Sequence, residues 1–346
     1  MVNELFILGS AVCFALILLW SFKHLPRERW QIIAAVPVKK DQTGLWCGIN
    51  ITYYGFIITS AQATAVSMFF ILMGALNVSH GDLAIILIGL LFLCLAASKI
   101  VARIVEGKKN TFTVGGASFI GLISAPLIIW FFNGFSHDSV PMLPFLAAAS
   151  ISHAIGEGLG RLACLSFGCC YGKPIGKVHP FMGKLFEHFS VVFEGKTKKI
   201  TYEAGMEGVK VFPIQSATSI LYVSTGLIGT YLYLNGRYAS AFLFTVAVTQ
   251  GWRFFSEMLR ADYRGRGKIT AYQLMSLIGT LLAAGFQAYT PHTSWPRPNL
   301  VNGIRQLWNP GWIIFLQILW VTLFFYFGRS RVTDSTIAFN VRHDMT

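Results

Sequence analysis

Charge is scarce in this sequence. Asp, Glu, Lys and Arg make up 12% of its 346 residues, about half of the roughly 25% usual in soluble domains. Paired C-x-x-C spacing is absent, which argues against a structural zinc site. A glycine-rich phosphate loop, an internal repeat and a low-complexity tract are absent too, which argues against a P-loop nucleotidase, a solenoid and a disordered linker. The charge that remains is one-sided, with 28 Lys and Arg against 15 Asp and Glu. In a soluble chain a net charge of +13 would point to nucleic acid. With 54% hydrophobic residues and a mean hydropathy of +0.57, it points to basic loops at a membrane surface, and no nucleic-acid partner is expected.

Apolar runs fill the space that charge leaves. Nine approach the ~20 residues that span a bilayer as helix: 4–22, 54–76, 83–103, 112–134, 141–163, 214–234, 239–258, 271–289 and 310–328. The expected fold is an all-α polytopic membrane protein: a seven-helix bundle with one extra helix at each end. The first run has neither a basic start nor a small-residue cleavage site and reads as an anchor rather than a signal peptide. The expected domains are residues 1–49, the anchor and a basic amphipathic linker; 50–289, the seven-span unit; and 290–346, the last span and a polar tail. The segment 172–213 is the long polar stretch inside the bundle and reads as a small cap. Its "SVVFEG" and "KKITYE" alternate like short strands. Counted through alternating spans, 22 of the 28 basic residues share the face of this cap, while Arg237, Arg297 and Arg305 lie on the other. The positive-inside rule places that richer face in the cytoplasm.

Ionisable groups within spans are costly and serve as functional candidates by default. They fall in two clusters. In "SHAIGEGLGR", His153, Glu157 and Arg161 follow at i, i+4 and i+8, one polar stripe on a helix. Gly156, Gly158 and Gly160 leave the neighbouring surface bare for a close approach. In "WRFFSEMLRADYRGRGK", Arg253, Glu257 and Arg260 end a span, and Arg264, Arg266 and Lys268 follow as a basic run of the kind that anchors helices at an interface. The two clusters end on one face and together fit an anion at headgroup depth, since arginine forks match phosphate oxygens. A self-satisfied trio holding helices together is the competing reading of the first stripe. Three thiols, Cys164, Cys169 and Cys170, crowd "GRLACLSFGCCYG" just behind Arg161; packing residues, a transient acceptor and a redox-sensitive pair are all open readings.

These motifs, in this order, resemble the prolipoprotein diacylglyceryl transferases. Gly160, Arg161, Gly168 and Gly172 keep the spacing of that family's central signature. Arg253, Glu257 and Arg260 match a late R-x-x-x-E-x-x-R, and Gln273 and Ser276 a segment after it. Tyr54 and Gly55, the "GGxSF" of Gly115 to Phe119, and the "P-x-Q" of Pro213 and Gln215 also coincide. The resemblance covers about 50–289. It implies transfer of a diacylglyceryl group from phosphatidylglycerol, or a similar anionic phospholipid, to the lipobox cysteine of a prolipoprotein in the bacterial inner membrane, with no cofactor and no metal. Arg161 and Arg253 would grip the phosphate, Glu257 would orient Arg253, and Tyr54, Glu157, Gly160, Gly168, Gln215 and Arg260 would line the substrate. It also implies a cap on the outer face, against the charge count, and that placement is the one expected here.

The sequence departs from the family where protons are handled. Ile120 stands for a histidine, Cys164 for an asparagine, Cys169 for a glutamate, and Phe212, Ala217 and Thr218 for a histidine, a tyrosine and a glutamate; Lys99 takes the place of an arginine. His153, two turns from Arg161, is the expected substitute base. The departures keep two other readings alive: a phospholipid-dependent transferase with another acceptor, and a non-catalytic lipid-binding or thiol-sensing membrane protein.

Overall fold

The computed structural model describes residues 1–107, 113–136, 139–265, 267, 269–290 and 295–345. Arg266 and Lys268 of the basic run lie outside the described residues. α1 (Val2–His24) leads into a hairpin of β1 (Ile32–Lys40) and β2 (Trp46–Thr52), and α2 (Tyr53–Gly74), α3 (His80–Glu106), α4 (Val114–Phe135) and α5 (Met142–Phe167) follow. The cap contains α6 (Pro180–Phe186), β3 (Val191–Val192), α7 (Lys199–Ala204) and β4 (Lys210–Val211). After it come α8 (Ile214–Leu234), α9 (Tyr238–Leu259), α10 (Ala271–Tyr289), α11 (Leu300–Leu307), α12 (Pro310–Gly328) and β5 (Arg329–Ile337).

The nine apolar runs correspond to nine long helices among the described residues. Seven of these, α1 to α5, α8 and α12, are long and apolar enough to cross a membrane. Helices α9 and α10 have the length, at 22 and 19 residues, but carry more polar side chains. Those of α9 point inward: Thr245, Thr249, Gln250, Arg253 and Glu257 are all buried. The protein is an all-α polytopic membrane protein in its bundle, with α5 at the centre, packed against α2, α8 and α9.

The bare glycine surface of α5 does not face a ligand. A Cβ at Gly156 would lie 2.7 Å from that of Ala65 in α2, and one at Gly158 would lie 3.0 Å from Val223 in α8. The glycines let helices approach closely, as small residues do in membrane bundles where lipid offers no hydrophobic drive between helices. Gly160 likewise abuts Ile58.

The chain outside 50–289 is built into the bundle through a sheet that its composition conceals. Asp41 Oδ1 accepts from the backbone N–H groups of Thr43 and Leu45 and closes the β1–β2 turn. β5, near the far end of the chain, pairs antiparallel with β2, Trp46 opposite Ile337 and Ile49 opposite Asp334. Thr52 Oγ1 donates to Gly328 O at 3.1 Å, joining α2 to α12. The linker and tail thus form one three-stranded sheet, β1-β2-β5.

In the cap, β3 falls in "SVVFEG" and pairs with β4, but "KKITYE" is the helix α7, not a strand. Gly205, with φ of 62°, supplies the left-handed cap that ends it, and two apolar residues are too few to separate a period of 2 from 3.6. Lys198, just before α7, is fully buried. Its Nζ donates to Ser166 O at 2.6 Å and Leu25 O at 3.2 Å, so one amine fastens the cap to the ends of α5 and α1.

Burial pushes the Lys198 ammonium down to about 7. The unfolded chain holds that proton up to about 10.4, so between these values it binds more protons than the folded one and folding is favoured as pH rises. Relative to Lys198→Met, the wild type is expected to gain thermal stability between pH 7 and 10; parallel melting curves for the two proteins across that range would refute the assignment.

Candidate functional site

The stripe on α5 folds as its spacing predicts, and its hub is Glu157. Glu157 Oε1 accepts from Arg161 Nη2 at 2.5 Å, and Oε2 from Arg253 Nη2 of α9. His153 Nε2 lies 3.2 Å from Glu157 Oε2 and 3.1 Å from Ser118 Oγ of α4. Ser118 in turn accepts from Gln250 Nε2 at 3.4 Å. One carboxylate thus gathers three helices. Gly115 makes room for this, since a Cβ there would lie 3.1 Å from Arg253 Nη1.

Glu257 does not orient Arg253. Its oxygens face Arg264, which donates from Nε at 3.1 Å and Nη2 at 3.0 Å. Arg264 reaches on to Glu106 of α3 at 2.8 Å and lies over the ring of Tyr272, whose hydroxyl donates to the same Glu106 oxygen. Arg264 is therefore part of a buried network rather than an interfacial anchor. Arg260 is engaged at the same level, its Nε and Nη2 held by Asp262 at 2.8 and 2.6 Å. Glu106, Asp262 and Tyr272 are members that sequence reading missed. The Arg-x-Asp spacing at 260–262 carried a local signal; Glu106, at the far end of α3, carried none.

The backbone joins the two clusters. Gly168, with φ of 73°, caps α5, and the chain after it runs antiparallel to the end of α9. Lys173 N donates to Leu259 O at 2.9 Å, Ala261 N donates to Tyr171 O at 3.0 Å, and Gly172 forms a bridge with Arg260. Gly172 cannot be replaced cheaply because a Cβ there would run into the Phe212 carbonyl. Gln215, at the start of α8, donates from Nε2 to Cys169 O at 2.9 Å. Tyr54 packs edge-on to Phe167, beside Arg161 and the thiols.

Between the clusters lies a cavity of about 10 Å³, lined by Arg161, Cys170, Ile214, Gln215, Thr218, Ser256 and Arg260. It admits one water-sized sphere. Two arginines border it and no carboxylate does. Among the described residues, the buried Nε of Arg161 and of Arg253 and Oε1 of Gln215 have no hydrogen-bond partner. The two arginine Nε are buried donors, which cost about 1–3 kcal/mol each when unmet; Arg161 lines the cavity and Arg253 does not. Arg161 and Arg253 share a single carboxylate, so the inner cluster carries one excess positive charge, while Glu106, Glu257 and Asp262 engage Arg264 and Arg260 and leave the outer cluster one excess negative charge.

Fold and site together define a polytopic helical membrane protein with a buried arginine-rich cluster at one end of its bundle. Residues 44–289 match the pattern of the prolipoprotein diacylglyceryl transferase family, and the chain belongs to that family. A relative described as phosphatidylglycerol–prolipoprotein diacylglyceryl transferase, from Dehalococcoides mccartyi, is 26% identical over 175 residues, which are 49% of this chain and 60% of the relative.

Removing a partner from a buried ion pair strands the other charge, at about 3–5 kcal/mol. Glu157→Gln strands two arginines at once. It is expected to lower the unfolding midpoint in detergent more than Glu257→Gln, whose arginine Arg264 keeps Glu106; equal midpoints for the two variants would show that Glu157 is not the hub.

Proposed function

We propose that this chain transfers the diacylglyceryl group of phosphatidylglycerol to the lipobox cysteine of a prolipoprotein and releases glycerol phosphate. The excess positive charge shared by Arg161 and Arg253, with their unmet Nε donors, is the observation that carries this reading. A phosphodiester brings one negative charge and two unbridged oxygens, which match the charge and the donors.

In the reaction the acceptor sulfur attacks the glyceryl carbon that bears the phosphate. A C–S bond forms, the C–O bond breaks, and the electron pair leaves on the glycerol phosphate. Its charge rises in the transition state, and preorganised guanidinium groups stabilise it there. The thiol is a weak nucleophile until its proton is removed. His153 is the available base: its side chain is 37% exposed, held between Glu157 and Ser118, and occupies the role that Ile120 has vacated. Glu157 orients the two arginines and His153. The cavity is smaller than a phosphate, so entry displaces the Cys170 loop, which ends in the glycine-capped turn at 168.

The bacterial inner membrane is the location this activity needs, with the cap outside, where exported prolipoproteins present their cysteine. That placement stands against the charge count and can be read directly. Cys47 lies exposed on β2, on the face of the cap. A membrane-impermeant maleimide is expected to label Cys47 in intact spheroplasts and to miss Cys47→Ser; labelling only after lysis would place the cap in the cytoplasm and leave an exported acceptor out of reach.

The activity itself is tested with purified protein, phosphatidylglycerol vesicles and a lipobox peptide, following glycerol phosphate and peptide mass. A diacylglyceryl mass shift is expected. Arg161→Ala and Arg253→Ala should each lower turnover by about 10²–10³-fold, and His153→Ala by about 10²-fold or more. Glycerol phosphate released without a peptide mass shift would select another acceptor. Lipid binding without release would leave a non-catalytic lipid-binding protein.

A further inference from the structure

Three thiols that the sequence spaces irregularly meet at one point. Cys164 is buried in the last turn of α5, and Cys169 and Cys170 are half-buried in the loop that follows. Their three Sγ atoms all lie within 4.8 Å of one another, and none is in a disulfide.

The backbone is bent to bring this about. The N–H groups of Gly168 and Cys169 both return to the Cys164 carbonyl, at 2.8 and 3.1 Å, and fold the loop back over the helix end. Cys170 has φ of 54°, a left-handed conformation that costs a residue with a side chain about 1–2 kcal/mol. Neighbouring side chains in extended chain point apart; the left-handed turn sends the sulfurs of Cys169 and Cys170 the same way. A strained position of this kind persists only where the surroundings enforce it. Gln215, donating to the Cys169 carbonyl, is one such restraint.

We propose that Cys164, Cys169 and Cys170 form a three-sulfur site for a soft monovalent cation, Cu(I). With metal–sulfur bonds of about 2.3 Å, a trigonal site holds its sulfurs about 4.0 Å apart. The three sulfurs, all within 4.8 Å of one another, need little movement to reach that spacing. Hard cations take oxygen ligands, and thiolates select soft ones. Divalent zinc wants a fourth ligand, and the side chains that share the cavity with Cys170 offer two arginines instead of an acid or a histidine. Those arginines offset the negative charge of a tris-thiolate Cu(I) centre. The ligand spacing, x₄ followed by adjacent residues, belongs to no zinc pattern and explains why the sequence conceals the site. The proposal does not rest on the transfer reaction, and metal content is read without turnover.

The test uses the full chain, reduced and anaerobic in detergent, titrated with Cu(I) against a chromophoric chelator. One Cu(I) per chain is expected, with an X-ray absorption spectrum of three sulfur neighbours at about 2.3 Å. Loss of a partner beyond the ligands costs 10–100-fold in metal affinity, so Cys164→Ser, Cys169→Ser and Cys170→Ser should each lose about 100-fold or more. The combined Cys13→Ser, Cys47→Ser, Cys94→Ser variant should bind as the wild type does. Wild-type affinity in any of the three single variants, loss of binding in the combined variant, nitrogen or oxygen neighbours in the wild-type spectrum, or reduced wild type that takes up no copper would each overturn the proposal. The spectrum needs no variant, so a misfolded mutant cannot decide the outcome.

Discussion

The Glu157 carboxylate is the fixed point of this protein. It lies buried on α5 and holds arginines from two helices. In an apolar bundle each of those guanidinium groups would be prohibitive alone, and one carboxylate cannot neutralise both. The Glu157 cluster by itself therefore lacks one negative charge. On the function proposed above an anionic ligand would supply it, at the depth set by the end of α5. Everything that fixes α5 against α9 consequently fixes the site: the glycines that admit α2 and α8, the Ser118–His153 contact with α4, and the backbone bridge from Gly172 to Arg260.

A second set of contacts sets the height of the cap over this point. Lys198 reaches from the cap to the carbonyls of Ser166 and Leu25, and the Gly168 N–H is held by Cys164 O while the Gly168 carbonyl accepts from Ile200 N at 2.9 Å. The loop of Cys169 and Cys170 is thus clamped at its helix end and by Gln215 on its far side. The β1-β2-β5 sheet lies at this same end of the bundle, where α2 begins and α12 finishes. Both extra helices are therefore tied to the face that carries the site rather than to the opposite one.

The helices were legible because a membrane helix must satisfy its own backbone, which makes length and hydropathy nearly sufficient. The run at 214–234 coincides with α8 at both ends. The strands at 32–40 and 329–337 were not, because both are defined by pairing with β2, the second of them from the far end of the chain, and a strand half exposed on a sheet edge carries little hydrophobic signal. The site was legible in its parts and misread in one connection. Arg253 and Glu257 have helical i,i+4 spacing, a pairing worth only a few tenths of a kcal/mol in isolation. Burial reorders such choices: Arg253 turns to Glu157, 96 positions away, and Glu257 turns to Arg264. Spacing identifies which residues share a helix face, and the depth of burial decides which of them pair. The thiols were visible as a cluster in sequence, but their convergence depends on the left-handed backbone at Cys170, which no side-chain pattern announces.

The departures from the family form one electrostatic pattern. The resemblance implies acids at the positions of Cys169 and Thr218, and here both are uncharged. Thr218 and Cys170 line the cavity with Arg161 and Arg260, and Cys169 adjoins it. Losing two negative charges beside two arginines makes the cavity more attractive to an anion, and in the proposed reaction this would hold for substrate, transition state and product alike. Only binding that is stronger in the transition state than in the ground state speeds the chemistry. A uniformly more positive cavity holds substrate and product more tightly and slows release. On the Cu(I) site proposed above, a tris-thiolate centre would return negative charge to the wall of the same cavity in a form that does not depend on proton uptake. On that proposal the metal-bound cysteines would stand in electrostatically for the missing acids beside Arg161.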